Sequence, residues 1–151
     1  MFSLFKKKPL LTAEESAIVV EAIRKAERQT SGEIRVFVES RCRFIDPLDR
    51  ARELFMKLEM DETEHRNGTL LYVAIKDKQL AIFADAGIHQ ATGQKYWEDT
   101  VAQIISFFNA ENYALGLSEC VRRIGDALRI YFPFDGDTDK NELPDEIIFG
   151  N

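Results

Sequence analysis

The stretch "RNGTLLYVAIKDKQLAIFADAGI", Arg66 to Ile88, decides the fold. Leu70 to Ile75 is apolar without a break, the pattern of a strand with both faces covered by other layers. Asp77 and Lys78 suit a tight turn, and Gln79 to Ala84 returns as an antiparallel neighbour. Polar, glycine-marked collars, Arg66-Asn67-Gly68 and Asp85-Ala86-Gly87, bound the open end of this hairpin.

Upstream, "EIRVFVE", Glu33 to Glu39, puts Ile34, Val36 and Val38 on one face with Arg35 and Phe37 on the other, a period-2 strand. Asp46-Pro47 then offers an N-cap and a first-turn proline, and Leu48, Ala51, Leu54, Phe55 and Leu58 make the stripe of a helix that ends by Met60. Strand, helix, strand and hairpin together give a βαββ core with a right-handed crossover. Thr12 to Glu15 has capping-box spacing and starts an earlier helix near Ala13, whose pattern stops at Thr30-Ser31-Gly32.

From Gln94 the period becomes 3.6. Trp97, Val101, Ile104, Ile105 and Phe108 form one helical stripe; Tyr113, Leu117, Val121, Ile124 and Leu128 form the next, with "NAEN" between them. The expected class is α/β, a three-layer α/β/α sandwich with a central mixed sheet and helices on both faces. Residues 12–133 make the domain, residues 1–11 a leading segment, and residues 134–151 an acidic tail without an element of its own, anchored if anywhere by Phe149.

A chain of 151 residues, 45% hydrophobic and 30% charged, has the composition of one ordinary globular domain. Much of its formal charge of −6 sits in the tail, as Asp135, Asp137, Asp139, Glu142, Asp145 and Glu146. An acidic tail on a near-neutral body argues against nucleic acid as a partner, which calls for a basic footprint. "MFSLFKKKPLL" has neither the order of a signal peptide nor the length of a membrane span, so the cytoplasm is the expected compartment. Cys42 and Cys120 form no CxxC motif and suit free thiols in a reducing compartment.

No GxGxxG, P-loop, GxSxG or HExxH motif is present. His65 and His89 are too far apart in sequence to imply a shared metal site. In the tail, Asp135, Asp137, Asp139, Asn141 and Glu146 fall at EF-hand ligand positions, but Lys140 replaces the required glycine and Pro144 interrupts the loop. A solvated acidic tail is the plainer reading.

The collars carry a sharper expectation. With the first strand parallel to the second and the third antiparallel to it, Thr30-Ser31-Gly32-Glu33, His65-Arg66-Asn67-Gly68 and Asp85-Ala86-Gly87 meet at one end of the sheet. Glu33 and Asp85 offer hard oxygens as metal ligands, Asn67 a neutral carbonyl, and Arg66 a fork for phosphate or carboxylate. Glycine and asparagine at strand ends are also ordinary turn punctuation. The opposite end, with Arg41, Cys42, Arg43, Asp46, Lys76, Asp77 and Lys78, is where open α/β sheets generally bind ligands and is basic enough for a phosphate, but a two-residue turn closes it and leaves little crevice, so the collar end is the expected functional end.

Taken in order, "AERQTSGEIRVFVES", "RNGTLLYVAIKDKQLAIFADAGI", Trp97, and "YFPF" followed by "NELPDEI" resemble the TPM domain family, which includes a thylakoid-lumen acid phosphatase and many bacterial YgcG-like proteins. The likeness runs from about Leu10 to Phe149. It implies an α/β/α sandwich and a shallow acidic cluster at the collar end, with Glu33, Asn67 and Asp85 as the positions carried over and Ca2+ or Mg2+ as the ion. The family's suggested chemistry is phosphatase activity, but Thr30 and Ser31 have no identifiable base and Asp85 would need a metal and an acid partner. The expectation is therefore a non-catalytic binding or accessory role, through a weak divalent-ion or small-anion site at one end of the sheet, with a protein or a small phosphorylated ligand as partner. The alternative is a weak metal-dependent acid phosphatase acting on phosphomonoesters.

Overall fold

The computed structural model describes residues 9–136 and 146–150. Helix α1 spans Ala13–Glu27 and begins at the expected capping box: Thr12 accepts from the Glu15 amide, and Glu15 accepts from the Thr12 amide. Strand β1, Glu33–Glu39, leads to α2, Pro47–Lys57, where the Asp46 carboxylate caps the Leu48 amide and Pro47 opens the first turn. A 3-10 turn at Met60–Glu62 returns the chain to β2, Gly68–Ala74, and a tight turn leads into β3, Gln79–Ala84. Helices α3, Ala86–Thr92, α4, Gln94–Asn109, and α5, Tyr113–Tyr131, follow, and β4, Ile147–Phe149, closes the described chain.

The sheet order is β3-β2-β1-β4. β1 runs parallel to both β2 and β4, and β3 runs antiparallel to β2. Every residue of β2 is buried, because apolar layers lie on both of its faces. On one face Ile34, Val36, Leu71, Val73 and Ile82 pack under α1, α4 and α5, with Trp97, Ile104, Leu117 and Ile124 from the helices. On the other, Phe37, Leu70, Tyr72 and Ala81 pack against Ala51, Leu54 and Phe55 of α2 and against Met60. The result is a three-layer α/β/α sandwich around a mixed sheet.

Two elements correct the sequence reading. The tail holds a strand after all: Ile147–Phe149 pairs with Val36–Val38, and the Gly150 amide donates to the Val38 carbonyl at 2.8 Å. Its anchor is Ile147, 9% exposed, and not Phe149, 47% exposed. Three residues are too few to show a period, so the strand exists only because β1 offers a free edge. The second element is α3, where the sequence showed only a collar; seven residues do not complete a helical stripe.

Both cysteines are free thiols. Cys120 lies in α5 with no exposed surface, and burial pushes its thiol up to about 12. Cys42 is partly exposed in the loop after β1 and donates to the Ile45 carbonyl at 3.2 Å. An Ellman assay should therefore count one reactive thiol in the native protein and two in denaturant. Two at native conditions would mean that α5 opens readily.

Candidate functional site

The collars do meet. The Glu33 amide donates to the Asn67 carbonyl at 3.3 Å, the Asp85 amide to Gly68 at 2.9 Å, and the Gly87 amide to Arg66 at 2.8 Å. Two of their side chains, Arg66 and Asp85, are engaged with each other. Asp85 is the N-cap of α3; its Oδ1 accepts from the Ala86 amide and from Arg66 Nη2, and its Oδ2 from Arg66 Nε, each at 2.7 Å. The guanidinium is held in charged form by that bond first and by the carboxylate's charge second. Arg66 and Asp85 thus neutralise each other in a bidentate pair.

Asn67 has no exposed surface, and neither polar atom of its amide has a hydrogen-bond partner among the described residues. Glu33 is 2% exposed. It stands opposite Gly68 from one side, and Asp85 from the other, so two strand spacings, about 9–10 Å of backbone, separate them. Asp85 would have to release Arg66 before it could ligate a cation. Among the described residues no three His, Cys, Asp or Glu side chains gather into a cation set. The EF-hand-like spacing falls mostly on residues 137–145, outside the described residues.

Glycine at 87 follows from crowding: a Cβ there would lie 2.3 Å from the His65 carbonyl oxygen and 2.6 Å from that of Arg66. The Arg66 turn, at φ 51°, presses directly on the first turn of α3. The end is built as a clasp between two loops.

The opposite end corrects the expectation of little crevice beside the tight turn: it has a cavity, because the loop after β1 and the start of α2 wall it. A pocket of about 370 Å³ is lined by Glu39, Arg41, Cys42, Arg43, Ile45, Arg50 and Glu53. Glu39 ends β1 at 7% exposure and accepts three donors: the Tyr72 hydroxyl, in a short bond, Arg50 Nε at 3.0 Å and Arg50 Nη2 at 3.2 Å. Burial, and then the bond to Glu39, push the Tyr72 phenol up, so Tyr72 stays a donor. The bond to Glu39 likewise raises Arg50, whose Nη1 reaches Glu53 at 2.5 Å. Arg50 is a fixed wall of the pocket, its charge balanced by Glu39 and Glu53.

Outside the pocket lining, Asp77 accepts from the Cys42 amide at 2.8 Å and from Arg41 Nη1 at 2.7 Å. The Cys42 amide first, and Arg41 next, hold its carboxyl below the usual carboxylate range. Arg41 spends one nitrogen on that pair, and Arg43, whose charge also acts on Asp77, forms no salt bridge within 4 Å among the described residues. The sequence exposed Arg41, Cys42, Arg43 and Asp77 as candidates but gave no sign of Glu39, Tyr72 or Arg50. Their contact spans 11 positions in one case and 33 in the other, and no motif spacing encodes it.

Sheet order, two unequal helical layers and a strand-end pocket define a small α/β/α sandwich, a scaffold that does not fix a function by itself. The family model for the TPM domain matches residues 5–127. The chain belongs to the TPM domain family. It is similar to the BA42 protein of the psychrophilic bacterium Bizionia argentinensis, solved by NMR, at 43% identity over 96% of this chain and 99% of that one, with a TM-score of 0.86. Two more distant NMR structures share the fold. The N-terminal domain of a protein from P. gingivalis is 20% identical over 89% of this chain and 83% of that one, TM-score 0.66. The N-terminal domain of cg2496 from Corynebacterium glutamicum is 10% identical over 91% and 80%, TM-score 0.61. No curated protein matches the chain. Among the described residues no helix is long and apolar enough to cross a membrane.

Proposed function

We propose that this TPM domain acts by binding, and that it takes a small phosphorylated ligand at the arginine-lined end of the sheet. The observation that carries this reading is the pocket of about 370 Å³ in which Arg43 is unpaired among the described residues, Arg41 keeps free donors, and Arg50 is held by Glu39. Planar guanidinium forks match phosphate oxygens, and a wall fixed beforehand loses little entropy on binding. At the collar end Arg66 already has its carboxylate in Asp85 and has less to offer an anion.

Titration with inorganic phosphate and with p-nitrophenyl phosphate, followed by backbone amide signals, tests the reading. The signals of Arg41 to Ile45 and of Lys76 to Lys78 should move together, and Arg41→Ala with Arg43→Ala should weaken binding by about tenfold. Movement at Arg66 and Asn67 instead would transfer the anion to the collars. Steady release of p-nitrophenol, lost in the arginine variants, would put the phosphatase reading first. Parallel titration with Ca2+ and Mg2+ examines the divalent-ion reading, for which Glu33 and Asp85 should respond before any other residue.

A further inference from the structure

One aromatic ring stands free of the fold. Phe44, in the loop between β1 and α2, is 104% exposed, and its φ of 69° places a bulky side chain in the left-handed region. Ile45 beside it is 36% exposed. A ring that touches almost nothing adds nothing to the core, yet it is carried on a turn that is strained for a residue of its size.

The ring sits among cations. The turn Lys76-Asp77-Lys78 is fastened alongside the loop, since the Lys76 amide donates to the Ser40 carbonyl at 2.9 Å and Asp77 accepts from the Cys42 amide at 2.8 Å. Residues 41–46 and 76–78 together carry four basic and two acidic side chains. Both acids are engaged, Asp77 with Arg41 and Asp46 with the Leu48 amide. In a chain of formal charge −6 these two segments are a local positive excess, and exposed charges farther off than about 8 Å are largely screened at physiological salt. Arg43 and Ile45, on either side of Phe44, both line the arginine pocket, so the ring rises from the pocket's rim.

We infer that this end of the sheet docks on an anionic lipid surface, with Phe44 and Ile45 entering the acyl boundary and a headgroup phosphate seated between Arg41 and Arg43. The inference rests on the reading of that pocket as a phosphate site and names the source of the phosphate. A projecting ring with no groove around it suits a phase that deforms to receive it, whereas a protein partner would need a cavity cut to its shape. Apolar insertion and basic attraction are each weak alone, and a reversible surface attachment takes both signals together. Lys76 and Lys78 supply the second beside the loop that supplies the first.

The test sediments the full chain with vesicles of phosphatidylcholine and phosphatidylserine in equal parts, and with vesicles of phosphatidylcholine alone. The mixed vesicles should bind it about tenfold more tightly. Phe44→Asn, which keeps a residue that tolerates the left-handed region, should weaken that binding about tenfold while leaving the melting temperature and the response of the Arg41 and Arg43 amides to inorganic phosphate unchanged. Lys76→Glu should weaken it by about as much. In Phe44→Trp the new indole should shift its emission to the blue on mixed vesicles and be quenched by brominated acyl chains, against the constant signal of Trp97, 1% exposed. No sedimentation with the mixed vesicles, equal sedimentation with phosphatidylcholine alone, or indifference to Phe44→Asn overturns the inference. If inorganic phosphate still moves the Arg41 to Ile45 amides, the pocket reading stands and only its lipid source falls. Absence of that phosphate response overturns the pocket reading and the headgroup seat with it.

Discussion

Gly87→Ala should lower stability by about 3 kcal/mol, the upper part of the range for overpacking a rigid site. The atoms in the way are the backbone carbonyl oxygens of His65 and Arg66, at 2.3 and 2.6 Å from the new Cβ, and a backbone cannot rotate aside as a side chain can. Relief requires α3 to move off the turn, which stretches the Gly87 to Arg66 hydrogen bond and opens the pair between Arg66 and Asp85. For a chain of this size the melting temperature should fall by about 10 °C. Gly93→Ala is the matched control: its φ of +81° makes alanine strained, but nothing lies within 4 Å. With ψ at 159° the site lies in a region essentially reserved for glycine, and the substitution should cost roughly 1–3 kcal/mol through backbone strain alone. A loss at Gly87 below about 1 kcal/mol in urea denaturation would refute the clasp described for the collar end.

Arg50→Ala should cost about as much, roughly 3 kcal/mol, for an electrostatic reason. Glu39, 7% exposed, would be left with the Tyr72 hydroxyl alone, a buried carboxylate without its cation. The side chain of Arg50 is 27% exposed, which keeps the loss below that of a fully buried pair. Replacing the whole cluster by apolar groups, Glu39→Leu with Arg50→Met and Tyr72→Phe, should be far milder than the single change, because no charge is stranded. The two proteins should also differ in function. Both lose the fixed Arg50 wall of the pocket and should bind phosphate more weakly, while only the triple variant keeps near-native stability, so a binding defect can be separated from unfolding.

The arrangement at Glu39 also shows why the functional end was hard to choose from residues alone. Glu39 closes a period-2 strand, Tyr72 sits inside an apolar run, and Arg50 lies on the polar side of an amphipathic helix. Each has an ordinary place in its own element. Only the parallel register of β1 with β2, and the packing of α2 across them, bring the three groups together. The collar residues gave the opposite impression. Arg66, Asn67 and Asp85 stand out in sequence because they interrupt apolar strands, yet the fold joins Arg66 to Asp85 and buries Asn67.

By itself the sequence determined whatever depends on short-range pattern. The unbroken apolar run of β2, the turn at Asp77-Lys78, the capping box at Thr12 and the Asp46-Pro47 helix start each rest on a few neighbouring residues, and each is found where the pattern put it. Tertiary structure alone decided what depends on surfaces meeting. β4 forms because β1 has an edge to pair with, and Asp85 becomes a cap and a salt-bridge partner because the Arg66 turn lies against α3. The basic pocket arises where Glu39 and Tyr72 hold Arg50 beside Arg41 and Arg43. Local pattern records the preference of a residue for its own element, whereas partners distant along the chain are set by packing, which no window of neighbouring residues contains.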